Sequence, residues 1–143
     1  MSVIFSRKCE YALQAVLYMA AKPKGELSSI REMSRKLQIP YHFLGKILQD
    51  LARKKILVSA KGPAGGFGLK IRTDMISLMM IIEAVDGLGF MDECVLGLPT
   101  CSSKTPCTVH NRWGILRRKI YNMLSAKNVA QMLKNQQIPL KES

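Results

Sequence analysis

The sequence of 143 residues has no long apolar run, little cysteine and few acidic residues. No stretch approaches the roughly 18 uninterrupted apolar residues that a membrane-spanning helix needs, and no basic flank followed by an apolar segment marks a secretion signal. Four cysteines are too few for a disulfide scaffold in a chain of this length. We therefore expect a cytoplasmic chain with reduced thiols and no membrane partner.

Positive charge is abundant instead. The chain carries 22 Lys and Arg against 10 Asp and Glu, a net charge of +12 with a pI near 9.8. Most of this excess lies in residues 1–70, which hold thirteen basic and four acidic side chains. A balance of this kind favours a polyanionic partner.

The spacing of apolar residues predicts a mainly α fold with one small β-hairpin. A first, largely buried helix runs from Ser6 to about Ala21 and ends before Pro23. Ser28 is placed to cap a second helix, and Pro40 fits the first turn of a third. Two short helices joined by a tight turn are typical of a helix-turn-helix.

A glycine-rich hairpin is predicted directly after these helices. Residues 56–60 and 67–71 are β-prone, and a glycine-rich tip separates them. Gly62, Gly65 and Gly66 can adopt positive φ and let the backbone approach another surface. A helix-turn-helix followed by such a hairpin predicts a winged helix.

The C-terminal half is predicted to add a fourth helix, capped by Asp74 or Ser77, and a long amphipathic helix. The apolar seam of the long helix suits pairing with a copy of itself, so we expect a homodimer. That seam consists of Trp113, Leu116, Ile120 and Met123. Within one structural domain the predicted regions are a winged helix-turn-helix (1–88), a cysteine-rich loop (89–108), a dimerisation helix (109–136) and a tail (137–143).

The third helix and the hairpin are the predicted contacts to double-stranded DNA. A helix fits the major groove with its first residues at the base edges, and a basic side chain beside the glycine tip suits a narrow minor groove. A merely solvated basic helix is the alternative, whereas a nucleotide-binding P-loop is disfavoured because its Lys-Ser or Lys-Thr ending is missing. The predicted contact residues are Ser28, Arg31, Tyr41, His42, Lys46, Lys61 and Gly65, with Gly45 on the same exposed side.

The cysteine-rich loop gathers three thiols and one imidazole within seventeen residues. Cys94, Cys101, Cys107 and His110 are spaced as C-x6-C-x5-C-x2-H. Such long spacings suit an iron-sulfur cluster better than a zinc ribbon, which more often shows C-x2-C pairs. Zinc and unligated thiols stay open as alternatives. A catalytic Cys107 is disfavoured because nothing else supplies an oxyanion site or substrate pocket, so we expect neither an enzyme nor a small-molecule substrate.

The sequence resembles the family of bacterial winged helix-turn-helix transcription regulators that includes IscR and NsrR, also called BadM-like. The resemblance covers nearly the whole chain. It rests on the segments Tyr11-Ala12-Leu13, 39–44 (IPYHFL), 61–67 (KGPAGGF), 76–78 (ISL) and 83–87 (EAVDG), and on the triple-cysteine loop.

This resemblance implies a regulator that binds a partly palindromic operator as a homodimer and senses iron-sulfur status, oxidants or nitric oxide. It implies a [2Fe-2S] cluster on Cys94, Cys101, Cys107 and His110. A [4Fe-4S] cluster with Glu10 of the partner subunit as fourth ligand is the alternative. The chain departs from the family where Gly45 replaces a usual acid and Lys61 replaces a usual Arg. A cluster-free or zinc-binding regulator that responds through thiols or a protein partner is the alternative function.

Overall fold

This computed structural model describes residues 5–96, 98, 104 and 106–135. Within these ranges the chain forms six α-helices and one two-stranded antiparallel hairpin. Two short 3-10 turns, Thr73–Met75 and Gly89–Met91, flank the fourth helix. The elements in chain order are α1 (Arg7–Ala20), α2 (Ile30–Leu37), α3 (Tyr41–Arg53), β1 (Leu57–Ala60), β2 (Gly66–Leu69), α4 (Leu78–Asp86), α5 (His110–Ala126) and α6 (Val129–Asn135). A mainly α winged helix with a small β-hairpin is therefore confirmed.

Helix α1 lies at the centre and contacts α2, α3, α4, α6 and β2. Small side chains at Ala12 and Ala15 are fully buried, which allows neighbouring elements to approach its backbone closely. Its first turn is fixed by Ser6, whose Oγ accepts from the Cys9 amide and donates to Asp86 at the end of α4 (2.5 Å). Burial of this helix therefore holds both halves of the described chain together.

The hairpin is tied to the start of α2 as well as to itself. Leu57 pairs with Leu69 and Ala60 with Gly66 across the two strands. Ser28 adds a third partner, because its amide donates to the Phe67 carbonyl and the Phe67 amide donates back, both at 2.8 Å. The hairpin is consequently anchored to the helix-turn-helix by main-chain bonds.

The prediction that Ser28 caps α2 is wrong by one residue. Ser29 is the N-cap, and its Oγ accepts from the Glu32 amide at 3.0 Å. Ser28 is instead engaged with Phe67 and is completely buried. Because both are serines, local sequence preference could not distinguish them, and the pairing with the hairpin decided the register.

The prediction of a single helix over 109–136 is also wrong, because the helix is interrupted between α5 and α6. Lys127 has an extended backbone, and its carbonyl accepts from the Leu78 amide at 3.0 Å. Asn128 then exchanges two hydrogen bonds with Gln131, and this exchange caps the start of α6. Val129 at the start of α6 is fully buried in the main core. Residues 137–143 lie outside the described part.

A glycine at position 66 is required by close approach of the hairpin to α2. Its φ is +151°, and an added Cβ would lie 2.4 Å from the Ser28 carbonyl oxygen. We expect Gly66→Ala to lower the free energy of unfolding by at least about 3 kcal/mol, because both backbones would have to separate. Gly25→Ala is the matched control: its φ is +87° with nothing within 4 Å of the added Cβ. That change should cost only about 1 kcal/mol. Equal losses for the two variants in chemical denaturation would contradict the assigned contact.

Candidate nucleic-acid interface and cysteine loop

Helix α3 presents one buried face and one exposed face. Leu44, Ile47, Leu48 and Leu51 are buried in the main core. Tyr41, His42 and Lys46 are exposed, as predicted from the sequence, and the Tyr41 and His42 rings pack edge to face at 5.3 Å. Polar and aromatic groups at the start of this helix are thus available to an outside partner.

Gly45 does not belong to that exposed face. It is buried, and a Cβ at this position would lie 3.6 Å from the Ile30 Cδ1 atom of α2. The expectation that Gly45 lies beside His42 and Lys46 on the solvent side is therefore wrong. It lies where α3 packs against α2, and the added Cβ would make only an ordinary van der Waals contact with Ile30.

The end of the hairpin provides exposed charge on a constrained backbone. Lys61 is exposed, and Gly62 beside it has a φ of +100°. Gly65 has no positive φ, contrary to the sequence expectation. A Cβ there would lie 2.2 Å from the Ala60 carbonyl oxygen, so its missing side chain is needed for the turn itself. The hairpin tip therefore depends on glycine for two different reasons.

Among the predicted contact residues, Ser28 is excluded by its position. Its side chain is fully buried behind the Phe67 pairing and cannot reach a nucleic acid. Arg31 on α2 is exposed. Sequence reasoning missed Arg35 and Lys36, which are exposed on the last turn of α2. Their charge was visible in the sequence, but it was not assigned to a face.

Two of the predicted sulfur donors lie side by side. The Sγ atoms of Cys94 and Cys107 are 3.7 Å apart, and no disulfide joins them. His110 follows as the first residue of α5, and its amide donates to the Cys107 carbonyl at 3.1 Å. Cys101 lies outside the described residues. Within the described ranges no three His, Cys, Asp or Glu side chains lie close enough together to share one ion.

Cys9 and Glu10 occupy neighbouring positions in the first turn of α1 with different surroundings. Cys9 is fully buried against Met79 and Ile82, and burial, with smaller effects of Asp86 and Glu10, raises its thiol pKa to about 12. It therefore stays protonated, as expected of a structural cysteine. Glu10 is only half-buried.

Helix α5 combines contact with the cysteine loop and an exposed apolar surface. None of its residues is buried, and Ile115, Leu116 and Met123 are each more than half exposed. Trp113 is half-buried, and its indole Nε1 donates to the main-chain carbonyl of Glu93 at 3.0 Å. The helix thus joins the loop on one side and leaves apolar side chains uncovered on another. None of the described helices is both long and apolar enough to cross a membrane.

Comparison with known proteins decides the family. The model of the Rrf2 family, described as an iron-dependent transcriptional regulator, matches residues 5–135. The chain belongs to the Rrf2 family. A protein of Aquifex aeolicus named as an HTH-type transcriptional regulator is 31% identical over 133 residues, covering 92% of each chain. The IscR regulator of Aliivibrio salmonicida is 25% identical over 131 residues, covering 92% of this chain and 77% of that protein.

A solved structure supports the same fold. The global cysteine regulator CymR of B. subtilis superposes with a TM-score of 0.78 at 17% identity, covering 93% of this chain and 98% of CymR. The Rrf2 protein is therefore a transcriptional regulator with a winged helix, and its relatives are regulators and not enzymes. Membership of this family implies that it binds DNA.

Proposed function

We propose that this Rrf2 regulator binds operator DNA through α3 and the hairpin tip, and that an iron-sulfur cluster controls that binding. The proposed cluster ligands are Cys94, Cys101, Cys107 and His110. The observation that carries the proposal is the 3.7 Å separation of the Cys94 and Cys107 sulfurs, in the segment between the winged helix and α5.

The donor set suits this kind of cofactor. Two thiolates bound to one tetrahedral metal with bonds of about 2.3 Å lie about 3.8 Å apart. The distance between the Cys94 and Cys107 sulfurs agrees with that value. A bound cluster would supply a centre sensitive to oxidants and nitric oxide. Its bonds to the ligand residues would order the cysteine loop. The distance between the two sulfurs does not distinguish a cluster from zinc. The spacing of the cysteines along the sequence, C-x6-C-x5-C, favours the cluster.

His110 is the preferred fourth ligand and [2Fe-2S] the preferred cluster. Its amide donates to the Cys107 carbonyl, so the residue that bears the imidazole is held next to Cys107 through the main chain. Glu10 of the partner subunit with a [4Fe-4S] cluster is the alternative. A carboxylate on α1 would require a second copy of the chain to close over the loop.

A homodimer through α5 accounts for the exposed apolar side chains of that helix. Ile115, Leu116 and Met123 are the kind of surface that a second helix covers. Two winged helices joined in this way would present two α3 helices to one duplex. Their separation must match half-sites about one helical turn apart, so a small change at α5 would alter operator fit.

Lys46 and Lys61 test the proposed DNA contact. We expect Lys46→Ala and Lys61→Ala each to weaken binding to a duplex selected from random-sequence DNA. Each should also reduce the slope of log affinity against log salt by about 1, since one phosphate contact is lost. Fluorescence anisotropy across a salt series measures both. Lys134→Ala, on α6, removes the same charge outside α2, α3 and the hairpin and should leave the slope unchanged. Unaltered slopes for both test variants would contradict the assignment.

Cluster binding is tested by purification without oxygen. We expect the protein, after reconstitution with iron and sulfide, to absorb in the visible range and to contain both elements. Cys94→Ala and Cys101→Ala should each abolish this absorbance, because a ligand is lost. Cys9→Ala is the matched control, since Cys9 is buried in a separate apolar cluster and should be dispensable for iron binding. A colourless, iron-free wild-type protein after reconstitution would overturn the cluster proposal.

A thiol switch without a cluster is the second candidate function. The short distance between the Cys94 and Cys107 sulfurs, which no disulfide joins, also suits disulfide formation. In that reaction hydrogen peroxide accepts two electrons and two protons from the two thiols, giving one disulfide and two waters. Both sulfurs would have to approach from 3.7 Å to about 2.05 Å.

Peroxide treatment of the cluster-free protein tests this candidate. We expect one intramolecular Cys94–Cys107 disulfide, identified by peptide mass spectrometry, because these sulfurs are neighbours. Cys9 should remain a thiol because its raised pKa keeps it protonated. Oxidation that leaves the 94 and 107 pair unlinked would remove the thiol switch from consideration.

A further inference from the structure

The main-chain carbonyl of Glu93 is held by two side chains of α5. Trp113 Nε1 donates to this oxygen at 3.0 Å, and a guanidinium nitrogen of Arg117 donates at 3.5 Å. The two donors are four residues apart and therefore lie on one face of the helix. Glu93 directly precedes Cys94, so α5 fixes the backbone immediately before a proposed cluster ligand.

The other side of the same segment is fixed to the first residue of the 3-10 turn after α4. The Asp92 and Glu93 amides both donate to the Gly89 carbonyl at 2.9 Å. Cys94 follows this anchored stretch and is buried. With Glu93 bonded to the turn through its amide and to Trp113 through its carbonyl, Cys94 has little freedom to move independently of α5.

Cys107 is connected to the same helix by a different route. The His110 amide donates to the Cys107 carbonyl, and one turn later the Trp113 amide donates to the Val109 carbonyl at 2.8 Å. Helix α5 therefore holds Cys107 through its main chain and the backbone before Cys94 through the side chains of Trp113 and, at a longer distance, Arg117. Of these two connections, only the side-chain one can be removed by a substitution that leaves the helix intact.

We propose that Trp113 is a positioning residue that sets Cys94 opposite Cys107 and couples the state of the cysteine loop to α5, an inference that rests on the proposed cluster function. The indole N–H is a donor with no acceptor capacity, so it matches a carbonyl. When the loop rearranges, the Glu93 carbonyl moves and α5 must follow or lose this bond. The exposed Ile115, Leu116 and Met123 of α5 would be displaced with it.

Trp113→Phe tests the positioning role without any cluster. This variant keeps an aromatic ring and removes the donor. In the reduced, cluster-free protein we expect iodoacetamide to modify Cys94 about fivefold faster than in the wild type, the effect of losing one hydrogen bond of ordinary strength. Peptide mass spectrometry measures each cysteine separately, and buried Cys9 serves as the internal reference. Tyr121→Phe is the matched control, because it removes a polar group from an α5 ring that packs against the Cys9 cluster. An unchanged Cys94 rate in Trp113→Phe would overturn the proposal.

The wild-type protein supplies a second measurement that needs no substitution. Trp113 is the only tryptophan of the chain, so its emission reports this one site. Because coupling between two positions is reciprocal, carbamidomethylation of Cys94 by iodoacetamide should shift the emission of Trp113. Emission that is identical before and after modification would also count against the link.

The regulatory part is tested after loading with iron and sulfide. At equal measured iron and sulfide content per chain, the Trp113→Phe variant is compared with the wild type. Its operator affinity should change less between loaded and cluster-free forms, because the link to α5 is weakened. A wild type that takes up no cluster would refute the proposed function and leave the alkylation result standing. Equal affinity changes in both proteins, with cluster present, would refute the role of Trp113 alone.

Discussion

The burial of α1 is the constraint on which the other elements depend. Its small residues Ala12 and Ala15 are fully enclosed, and helices from both the N-terminal and C-terminal halves pack around it. Its first turn is bonded to Asp86 at the end of α4. A helix enclosed in this way cannot shift without disturbing α3, which bears the proposed DNA contacts, and α4 together.

A second, smaller apolar cluster connects that support to α5. Cys9 of α1 and Met79 and Ile82 of α4 are buried there, with Tyr121 and Leu124 of α5 packed against them. The C-terminal part of α5 is therefore attached to the winged helix, while its N-terminal part contacts the cysteine loop through Trp113. A displacement of the segment around Glu93 would therefore reach the winged helix through α5.

Local chemistry in the sequence was sufficient where one preference had no competitor. The apolar period of α3 was predicted because it depends on residues within one turn, and Ser77, which caps α4, was one of the two caps predicted there beside Asp74. Features decided by distant partners were not. The choice of Ser29 as cap depends on the pairing of Ser28 with Phe67, and the break after Ala126 depends on bonds between residues 127–129 and the segment before α4.

The same distinction applies to the candidate site. Exposure of Tyr41, His42 and Lys46 followed from helical spacing, whereas burial of Gly45 depends on how closely α2 crosses α3. The cysteine motif was visible as spacing, and the neighbouring Cys94 and Cys107 sulfurs are consistent with it. The hydrogen bond from Trp113 to a main-chain carbonyl twenty residues earlier has no local signature, so only the structure could identify it.

The proposed control of DNA binding by a cluster in the cysteine loop makes a quantitative prediction. The most direct measurement is the dissociation constant for one selected duplex, at one salt concentration, for cluster-loaded and cluster-free protein from the same oxygen-free preparation. The affinities of the cluster-loaded and cluster-free forms should differ by at least about fivefold, in either direction, as expected of an allosteric coupling. Equal affinities for the two forms, with iron and sulfide content verified, would contradict it.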